Sequence, residues 1–389
     1  MKAEMEMKVK GGGKGMKVLI AMDSFKESMT AEEACMAVEE GIRRVYPDAE
    51  CLHFPMADGG EGTARILSKR VPSEEVRVSV HGPLDEEREA VYYVTEDGET
   101  AFMEMAASSG LELVPRENRN PLVTTTYGVG EMMRSALDRK VKNIVLGIGG
   151  SATNDAGAGM LMALGARLLD QEGNSIGNGG GALERLARVD VEGVDDRLKG
   201  VNLEVACDVR NTLTGKNGAS HVFGPQKGAD PGMVLYLDEN LRHFAHVVKK
   251  DLGIELLHLE GGGAAGGLGA ALIGVLGASK REGIELVMTY SKFCESLADA
   301  DLVFTGEGSI DAQSFEGKVP IGIGKASKQE GVPVIALAGR IPTDLERIYD
   351  FVDAVFSIVP GVYTLEDALR DGKKNLVATV QNIMKVVRL

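Results

Sequence analysis

The sequence predicts an open α/β fold, with one domain made from both ends of the chain and a second α/β domain inserted between roughly residues 80 and 285. Three observations carry this reading. Near the start, an apolar run, a polar loop, a helical stretch and a second apolar run follow one another as β-loop-α-β. Near the end, three apolar runs alternate with helical stretches. Between them, a hairpin signal and a change of rhythm interrupt the alternation.

The opening strand is MKVLIAM (Met16 to Met22), followed by the polar loop Asp23-Ser24-Phe25-Lys26-Glu27-Ser28. Thr30 and Glu33 have capping-box spacing, so a helix starts there. Ala31, Ala34, Cys35, Val38, Ile42 and Val45 fall on one face of it, and Pro47-Asp48 ends it before the strand CLHFPM (Cys51 to Met56). VYYV and TAFME flank Glu96-Asp97-Gly98-Glu99 and read as a hairpin. KNIVLGI (Lys142 to Ile148) and LEVAC (Leu203 to Cys207) are further strands, with a loop turning into a helix over Gly149 to Gly159. Asp230-Pro231 supplies a cap and a first position for a long helix. DLVFT (Asp301 to Thr305), VPVIALA (Val332 to Ala338) and DAVFSIV (Asp353 to Val359) are the closing strands, and Thr364 with Asp367 caps the final helix. The expected division is 16–80 with 286–389 as one domain and 81–285 as the insertion. Residues 1–15, MKAEMEMKVKGGGKG, lack an apolar signal-peptide region and read as an expression leader before a natural start at Met16.

Composition narrows the function. With 389 residues, 44% hydrophobic and 26% charged, the chain suits a two-domain globular protein. A formal charge of −15 argues against nucleic-acid and anionic-membrane partners, but leaves room for a locally positive nucleotide pocket. The cysteines Cys35, Cys51, Cys207 and Cys294 are scattered without a C-x-x-C pair, which points to a reducing cytoplasm. Gly261 to Ala278 carries no charge, but its dense glycines suit a ligand loop running into a buried helix better than a membrane span.

Several loops at predicted strand ends carry chemistry, the position where open α/β sheets bind ligands. Gly147-Ile148-Gly149-Gly150-Ser151-Ala152-Thr153-Asn154-Asp155 follows a strand and enters a helix, so its N–H groups and hydroxyls can cradle an anion. The plain alternative is a tight strand–helix turn. Gly261-Gly262-Gly263-Ala264-Ala265-Gly266-Gly267 requires either exposed backbone or close packing, and the sequence leaves the two level. Thr305-Gly306-Glu307-Gly308-Ser309-Ile310-Asp311, followed by Gln313 and Gly317-Lys318, places carboxylates where they can hold Mg²⁺. Ala57-Asp58-Gly59-Gly60-Glu61-Gly62-Thr63 repeats that logic. Asp208 ends an apolar strand and suits a general base, a metal ligand or a cap. Lys26 and Lys227 sit in Gly- and Ser-rich loops and can neutralise phosphate or carboxylate. Donors for a polyphosphate, an acid for a metal and a group at an acceptor hydroxyl are the requirements of phosphoryl transfer. A Walker-type P-loop, a G-x-S-x-G elbow and an H-E-x-x-H motif are all missing from the sequence.

The strings AMDSFKESMTAEEA, PMADGGEGT, TTTYGVGE, GIGGSATNDAGAGMLMALGA, ACDVRNTLTGKNGASHVFGPQKGA, GGGAAGGLGAAL and LVFTGEGSIDAQSFEGKVPIG together resemble the bacterial glycerate kinases of the glyoxylate and sugar-acid pathways, in order, from Met16 to about Gly339. The resemblance implies an ATP- and Mg²⁺-dependent kinase of D-glycerate giving 2-phosphoglycerate in preference to the 3-phosphate. It also implies a flavodoxin-like domain and an inserted α/β domain with the site in the cleft between them. Four positions depart from the pattern: Met22, Ala156 and Thr212 stand where Pro, Gly and Pro are usual, and Ser309 where the acidic loop usually reads Gly-Glu-Gly-Arg-Ile-Asp.

The expected mechanism is in-line transfer. Gly149, Gly150, Ser151, Thr153, Asn154 and Asp155, with Gly262, Gly263, Gly266 and Gly267, hold phosphates or substrate. Glu307 and Asp311 position Mg²⁺. Asp208 or Asp58 orients the acceptor hydroxyl and takes its proton, while Lys26 or Lys227 pairs with carboxylate or phosphate. A related hydroxy acid as acceptor and a nucleotide- or glycerate-binding regulator without turnover remain as alternatives, and a homo-oligomer stays open.

Overall fold

The computed structural model of the chain describes residues 15–57, 62–311, 314–315, 318–341 and 346–388. The leader reading of residues 1–15 therefore falls, apart from Gly15, outside the described residues, and so do Asp58, Gly59, Gly60, Glu61, Gln313 and Gly317.

In chain order, strand β1 (Lys17–Met22), helix α1 (Ala31–Arg43) and strand β2 (Glu50–His53) open the structure. Helix α2 (Thr63–Arg70), strands β3 (Ser73–His81), β4 (Glu87–Thr95) and β5 (Thr100–Glu104), and helices α3 (Ala106–Ser109) and α4 (Tyr127–Asp138) follow. Next come β6 (Asn143–Gly147), α5 (Ala158–Ala163), β7 (Arg167–Leu169), β8 (Arg188–Asp190), β9 (Asn202–Ala206), α6 (Ala219–Phe223), α7 (Pro231–Leu252) and β10 (Ser279–Arg281). The chain closes with α8 (Gly283–Tyr290), α9 (Phe293–Leu297), β11 (Leu302–Ser309), α10 (Val319–Gln329), β12 (Val334–Arg340), β13 (Ala354–Ser357), α11 (Leu365–Arg370) and α12 (Gly372–Val387).

Two compact units result, Met1–Asp58 with Val287–Leu389, and Gly59–Leu286. In the first, a five-stranded sheet runs β13-β12-β11-β1-β2 with every pairing parallel. Numbered along this unit, the order is 2-1-3-4-5, the flavodoxin-like arrangement, in which strand order reverses between β1 and β11. Val18, Ile20, Phe304 and Leu337 on one face are fully buried with Val38 and Ile42 of α1 and Leu376 and Val380 of α12. Gly41 lets α1 and α12 approach closely, since a Cβ there would lie 2.7 Å from that of Val380. The capping box predicted for α1 is present, with Thr30 Oγ1 accepting from Glu33 N at 3.2 Å and Glu33 Oε2 accepting from Thr30 N at 2.9 Å.

The second unit holds a six-stranded mixed sheet, β10-β9-β6-β5-β4-β3, parallel from β10 to β5 and antiparallel through β4 and β3. The hairpin read around residues 96–99 is the β4–β5 turn. Its core gathers Tyr92, Met103, Ile144 and Leu146 from the sheet with Met132, Met133, Met160 and Phe244 from helices. Asp230 caps α7 as its sequence predicts, accepting from Met233 N at 2.8 Å with Pro231 in the first turn.

The sequence placed the first junction near residue 80, whereas residues 59–80 group with the second unit. The reason is local. β3 pairs along its whole length with β4, and the start of α2 is held by Glu104 at the end of β5, whose carboxylate accepts from Gly62 N at 3.0 Å and Ala64 N at 2.7 Å.

Candidate functional site

Gly149–Asp155 and Asp208 lie just beyond the carboxyl ends of strands in the second unit, and Lys26, Glu307 and Asp311 at or beyond those of the first, whereas Lys227 and Gly262–Gly267 come from segments between helices and strands. In the second unit, β6 and β9 are neighbours paired Gly147 to Ala206, so the loops that leave them emerge side by side. The β6 loop carries Gly149 to Asp155. The β9 loop carries Asp208.

Asp155 is the buried anchor of the first loop. Its carboxylate accepts from Thr126 N at 2.9 Å, Thr126 Oγ1 at 2.8 Å, Gly157 N at 3.2 Å and Gly159 N at 3.3 Å. Burial pushes its pKa up, and the Thr126 and glycine donors work against that rise by holding the anion. Asp155 therefore ties the loop to the start of α4. Thr126 went unnoticed in the sequence; its string TTTYGVGE was visible, but nothing local links it to a residue 29 positions away.

Lys227 is 2% exposed and its ammonium is committed within the protein, donating to Ser151 Oγ at 2.7 Å and to the Thr153 carbonyl at 2.6 Å. Burial drives its pKa down to about 7, while the Asp155 charge pulls it back up. It holds the loop from beneath rather than reaching into solvent. Asn154 is fixed by Ser220, whose Oγ donates to Asn154 Oδ1 at 3.1 Å. Thr153 Oγ1 and Asn154 Nδ2 are buried with no partner among the described residues. The N–H groups of Gly149, Gly150 and Ser151 likewise donate to no acceptor among the described residues. Gly150, with φ of 72°, is exposed.

For Gly262 to Gly267, close packing accounts for the glycines. All are buried. A Cβ on Gly266 would lie 2.0 Å from the Thr153 carbonyl oxygen, one on Gly267 2.7 Å from Ala156 Cα, and one on Gly263 2.2 Å from the Thr212 carbonyl oxygen. Gly262 is tight against the Leu259 carbonyl at 2.9 Å. The Gly266 carbonyl accepts from Ala156 N at 3.0 Å, so this segment braces the Thr153–Ala156 turn. The segment ends in a 3₁₀ turn over Ala264–Gly267, with Ala265, Gly266 and Gly267 all at positive φ, and a π-helical stretch over Ala270–Val275 follows it.

Asp208 is half-buried, and its Oδ1 accepts from Gly283 N at 2.9 Å at the start of α8.

In the first unit, the loop after β1 and the end of β11 adjoin. Asp23 N donates to the Gly306 carbonyl at 2.9 Å. Phe25 and Met29 exchange backbone hydrogen bonds at 2.9 Å, and this tight turn, with Glu27 at φ of 64°, carries Lys26 exposed at its tip. Gly308 leaves its backbone open toward Lys26 N, 3.4 Å from where a Cβ would sit. Glu307 is 6% exposed, and Ser314 Oγ donates to its Oε1 at 2.6 Å while accepting from Asp311 N at 3.1 Å. Ser314, which the sequence reading passed over, thus links the two carboxylate-bearing positions. Asp311 itself is exposed. Among the described residues no group of three His, Cys, Asp or Glu side chains could hold a metal alone. Mg²⁺ sites in phosphoryl-transfer enzymes commonly use one or two carboxylates with water and substrate phosphates, so the Glu307 and Asp311 pair fits that donor set.

Comparison with known proteins follows the same outline. The model of the glycerate kinase family matches residues 18–388. The Escherichia coli glycerate 2-kinase is 49% identical over 369 residues, covering 95% of this chain and 97% of that one. The Bacillus subtilis glycerate kinase is 50% identical over 375 residues, covering 96% and 98%. A crystal structure from Salmonella typhimurium, described as a glycerate kinase 2, superposes with a TM-score of 0.86 at 50% identity, covering 96% of this chain and 99% of that chain. A fold, a set of strand-end loops and a near full-length match all agree: the chain belongs to the glycerate kinase family, kinases that phosphorylate an alcohol acceptor.

Proposed function

We propose that this chain transfers the γ-phosphoryl group of ATP to the 2-hydroxyl of D-glycerate, giving 2-phosphoglycerate and ADP. The observation that carries the reading is the Gly149–Asp155 loop: three successive N–H groups without acceptors among the described residues stand just beyond the carboxyl end of β6. Two buried polar atoms without partners among the described residues, Thr153 Oγ1 and Asn154 Nδ2, belong to the same loop. Such an array of donors is suited to an anion. The preference for the 2-hydroxyl leans on the name of the Escherichia coli relative, glycerate 2-kinase, at 49% identity.

In this reading Gly149, Gly150 and Ser151 offer backbone donors to phosphate or glycerate oxygens. Lys227 is a positioning residue, because its ammonium is bound to Ser151 and Thr153. Gly266 and Gly267 support the reaction by fixing the Thr153–Ala156 turn they pack against, while Gly262 and Gly263 seat their segment on Leu259 and Thr212. Asp208 orients the acceptor hydroxyl and takes its proton. Asp58 lies outside the described residues and remains the second candidate for that role. Lys26, exposed at its turn, pairs with the glycerate carboxylate or the transferred phosphate. Glu307 and Asp311 would hold Mg²⁺, which when bound neutralises charge on the phosphates.

No helix among the described residues is long and apolar enough to cross a membrane. The four cysteines are all free, which favours a reducing, cytoplasmic setting. A homo-oligomer is part of the proposal only as an open arrangement. The test is ADP release measured by enzymatic coupling, with D-glycerate, L-glycerate and related hydroxy acids as acceptors. ADP formation strongest with D-glycerate supports the reading; equal or greater turnover with another hydroxy acid redirects it. Binding of ATP or glycerate without any ADP would identify a regulator.

A further inference from the structure

The turn that carries Lys26 is held from the other end of the chain. It leaves the carboxyl end of β1 at the switch point of the first unit's sheet, where strand order reverses between β1 and β11 and such folds meet their ligands. Phe25 and Met29, both buried, seat its two ends in the core, and Ser28 N donates to the Phe25 carbonyl at 2.8 Å. Between them Glu27, at φ of 64°, has a left-handed conformation that a residue with a Cβ keeps only where its surroundings over-determine it. The turn is therefore a fixed shape with Lys26 and Glu27 exposed at its tip.

The outside hold comes from α11 and α12. Ser28 Oγ donates to the Leu369 carbonyl at 2.6 Å, across 341 positions of sequence. Leu369 stands in the last turn of α11, where a helix leaves carbonyls without internal partners, so the serine satisfies one of them. Three residues on, buried Gly372 opens α12, and a Cβ there would lie 2.3 Å from Ser28 Oγ and 3.0 Å from Met29 Cε. The missing side chain at 372 is what gives Ser28 room to reach Leu369. Its hydroxyl is thus fixed two residues from the exposed Lys26.

We propose that Ser28 is a positioning residue for the kinase reaction: its bond to Leu369, made in the space that Gly372 leaves, sets the turn that aims Lys26 at its anion. This rests on the role given to Lys26 under the functional reading above. Ser28 touches no substrate in this account and acts through the lysine alone. A shift of ~1 Å in a group that orients substrate can cost about 100-fold in rate, so one hydrogen bond at the base of the turn has leverage on turnover.

The test is a double-mutant cycle on the full chain. It measures kcat/KM for D-glycerate at saturating ATP in the wild type, Ser28→Ala, Gly372→Ala, Lys26→Met and the double variant Lys26→Met/Ser28→Ala. Thermal melting establishes that each variant is folded, and Ser28→Ala carries the test alone where Gly372→Ala does not fold. Ser28→Ala should lower kcat/KM by roughly 10- to 100-fold, and Gly372→Ala, which presses on the same hydroxyl from the other end of the chain, should lower it in the same range. Lys26→Met should lower it at least as far. On that background Ser28→Ala should change it by less than about twofold, because the group it positions is gone. A merely structural serine would instead give the same factor in both backgrounds. That equal factor, or Ser28→Ala within about twofold of the wild type, would overturn the inference and leave the kinase reading intact. Lys26→Met within about twofold of the wild type would remove the role of Lys26, and a wild type without turnover would remove the functional reading; the inference falls with either.

Discussion

Replacing Lys227 with methionine tests the buried ammonium at the centre of the second unit's loop. In the folded chain burial lowers its pKa from 10.5 to about 7. Between those values the unfolded chain holds a proton that the folded chain has released, so unfolding takes up a proton. Stability accordingly rises with pH from about 7 toward 10.5, and the penalty of a buried charge is greatest below that window. One proton corresponds to at most ~1.4 kcal/mol per pH unit, so the step from pH 7 to pH 9 adds roughly 2 kcal/mol. Methionine has the length but no proton to lose, and it leaves the Thr153 carbonyl and Ser151 hydroxyl without their donor, at about 1–3 kcal/mol each. Urea unfolding of the wild type and Lys227→Met at pH 7 and pH 9 reads both effects. The stability gap between them should widen by roughly 2 kcal/mol at the higher pH. Parallel pH dependences would refute the assignment of a largely neutral buried amine at pH 9.

Gly266→Ala forces a Cβ to within 2.0 Å of the Thr153 carbonyl oxygen at a backbone φ of 67°. It should destabilise by roughly 2–5 kcal/mol, combining left-handed strain with overpacking. Gly173→Ala, at φ of 83° with open space around it, should show only the conformational part, about 1–2 kcal/mol, in the same urea titration. Asp208→Asn retains an oxygen to accept from Gly283 N, so its melting temperature should stay near that of the wild type while kcat falls ~100-fold or more; near-normal turnover removes Asp208 from the mechanism. Glu307→Gln keeps an acceptor for Ser314 and loses the charge, so the Mg²⁺ concentration for half-maximal turnover should rise by roughly 10-fold or more. An unchanged Mg²⁺ titration would exclude Glu307 as a ligand.

Local signals carried much of the fold. The capping box at Thr30 and Glu33, the Asp230-Pro231 start of α7 and the β4–β5 turn each depend on residues a few positions apart, and each is where its pattern placed it. β3 left a weaker trace because it is the sheet's outer strand, and its charged residues Glu74, Glu75 and Arg77 blur the apolar alternation. The first junction was misjudged for a related reason: α2 joins the second unit through Glu104, forty residues away in sequence. Thr364 does cap a helix, but the short α11, which ends before α12 begins.

The site was legible as chemistry more than as geometry. Glycine density flagged residues 261–267, yet only coordinates distinguish a backbone offered to a ligand from one pressed against Thr153 and Ala156. The string around Lys227 gave no hint that its ammonium is enclosed. Ser314 and Thr126 act through partners that a linear pattern does not pair with them.

The most direct test of the central claim is ³¹P NMR of the purified chain with ATP, Mg²⁺ and D-glycerate. The account predicts that the γ-phosphate signal of ATP declines as a phosphomonoester signal grows, split by the single C2 proton of 2-phosphoglycerate. Coupling to the two C3 protons would instead identify the 3-phosphate and contradict the assigned acceptor. Intact ATP with the protein demonstrably folded would contradict the kinase of D-glycerate altogether.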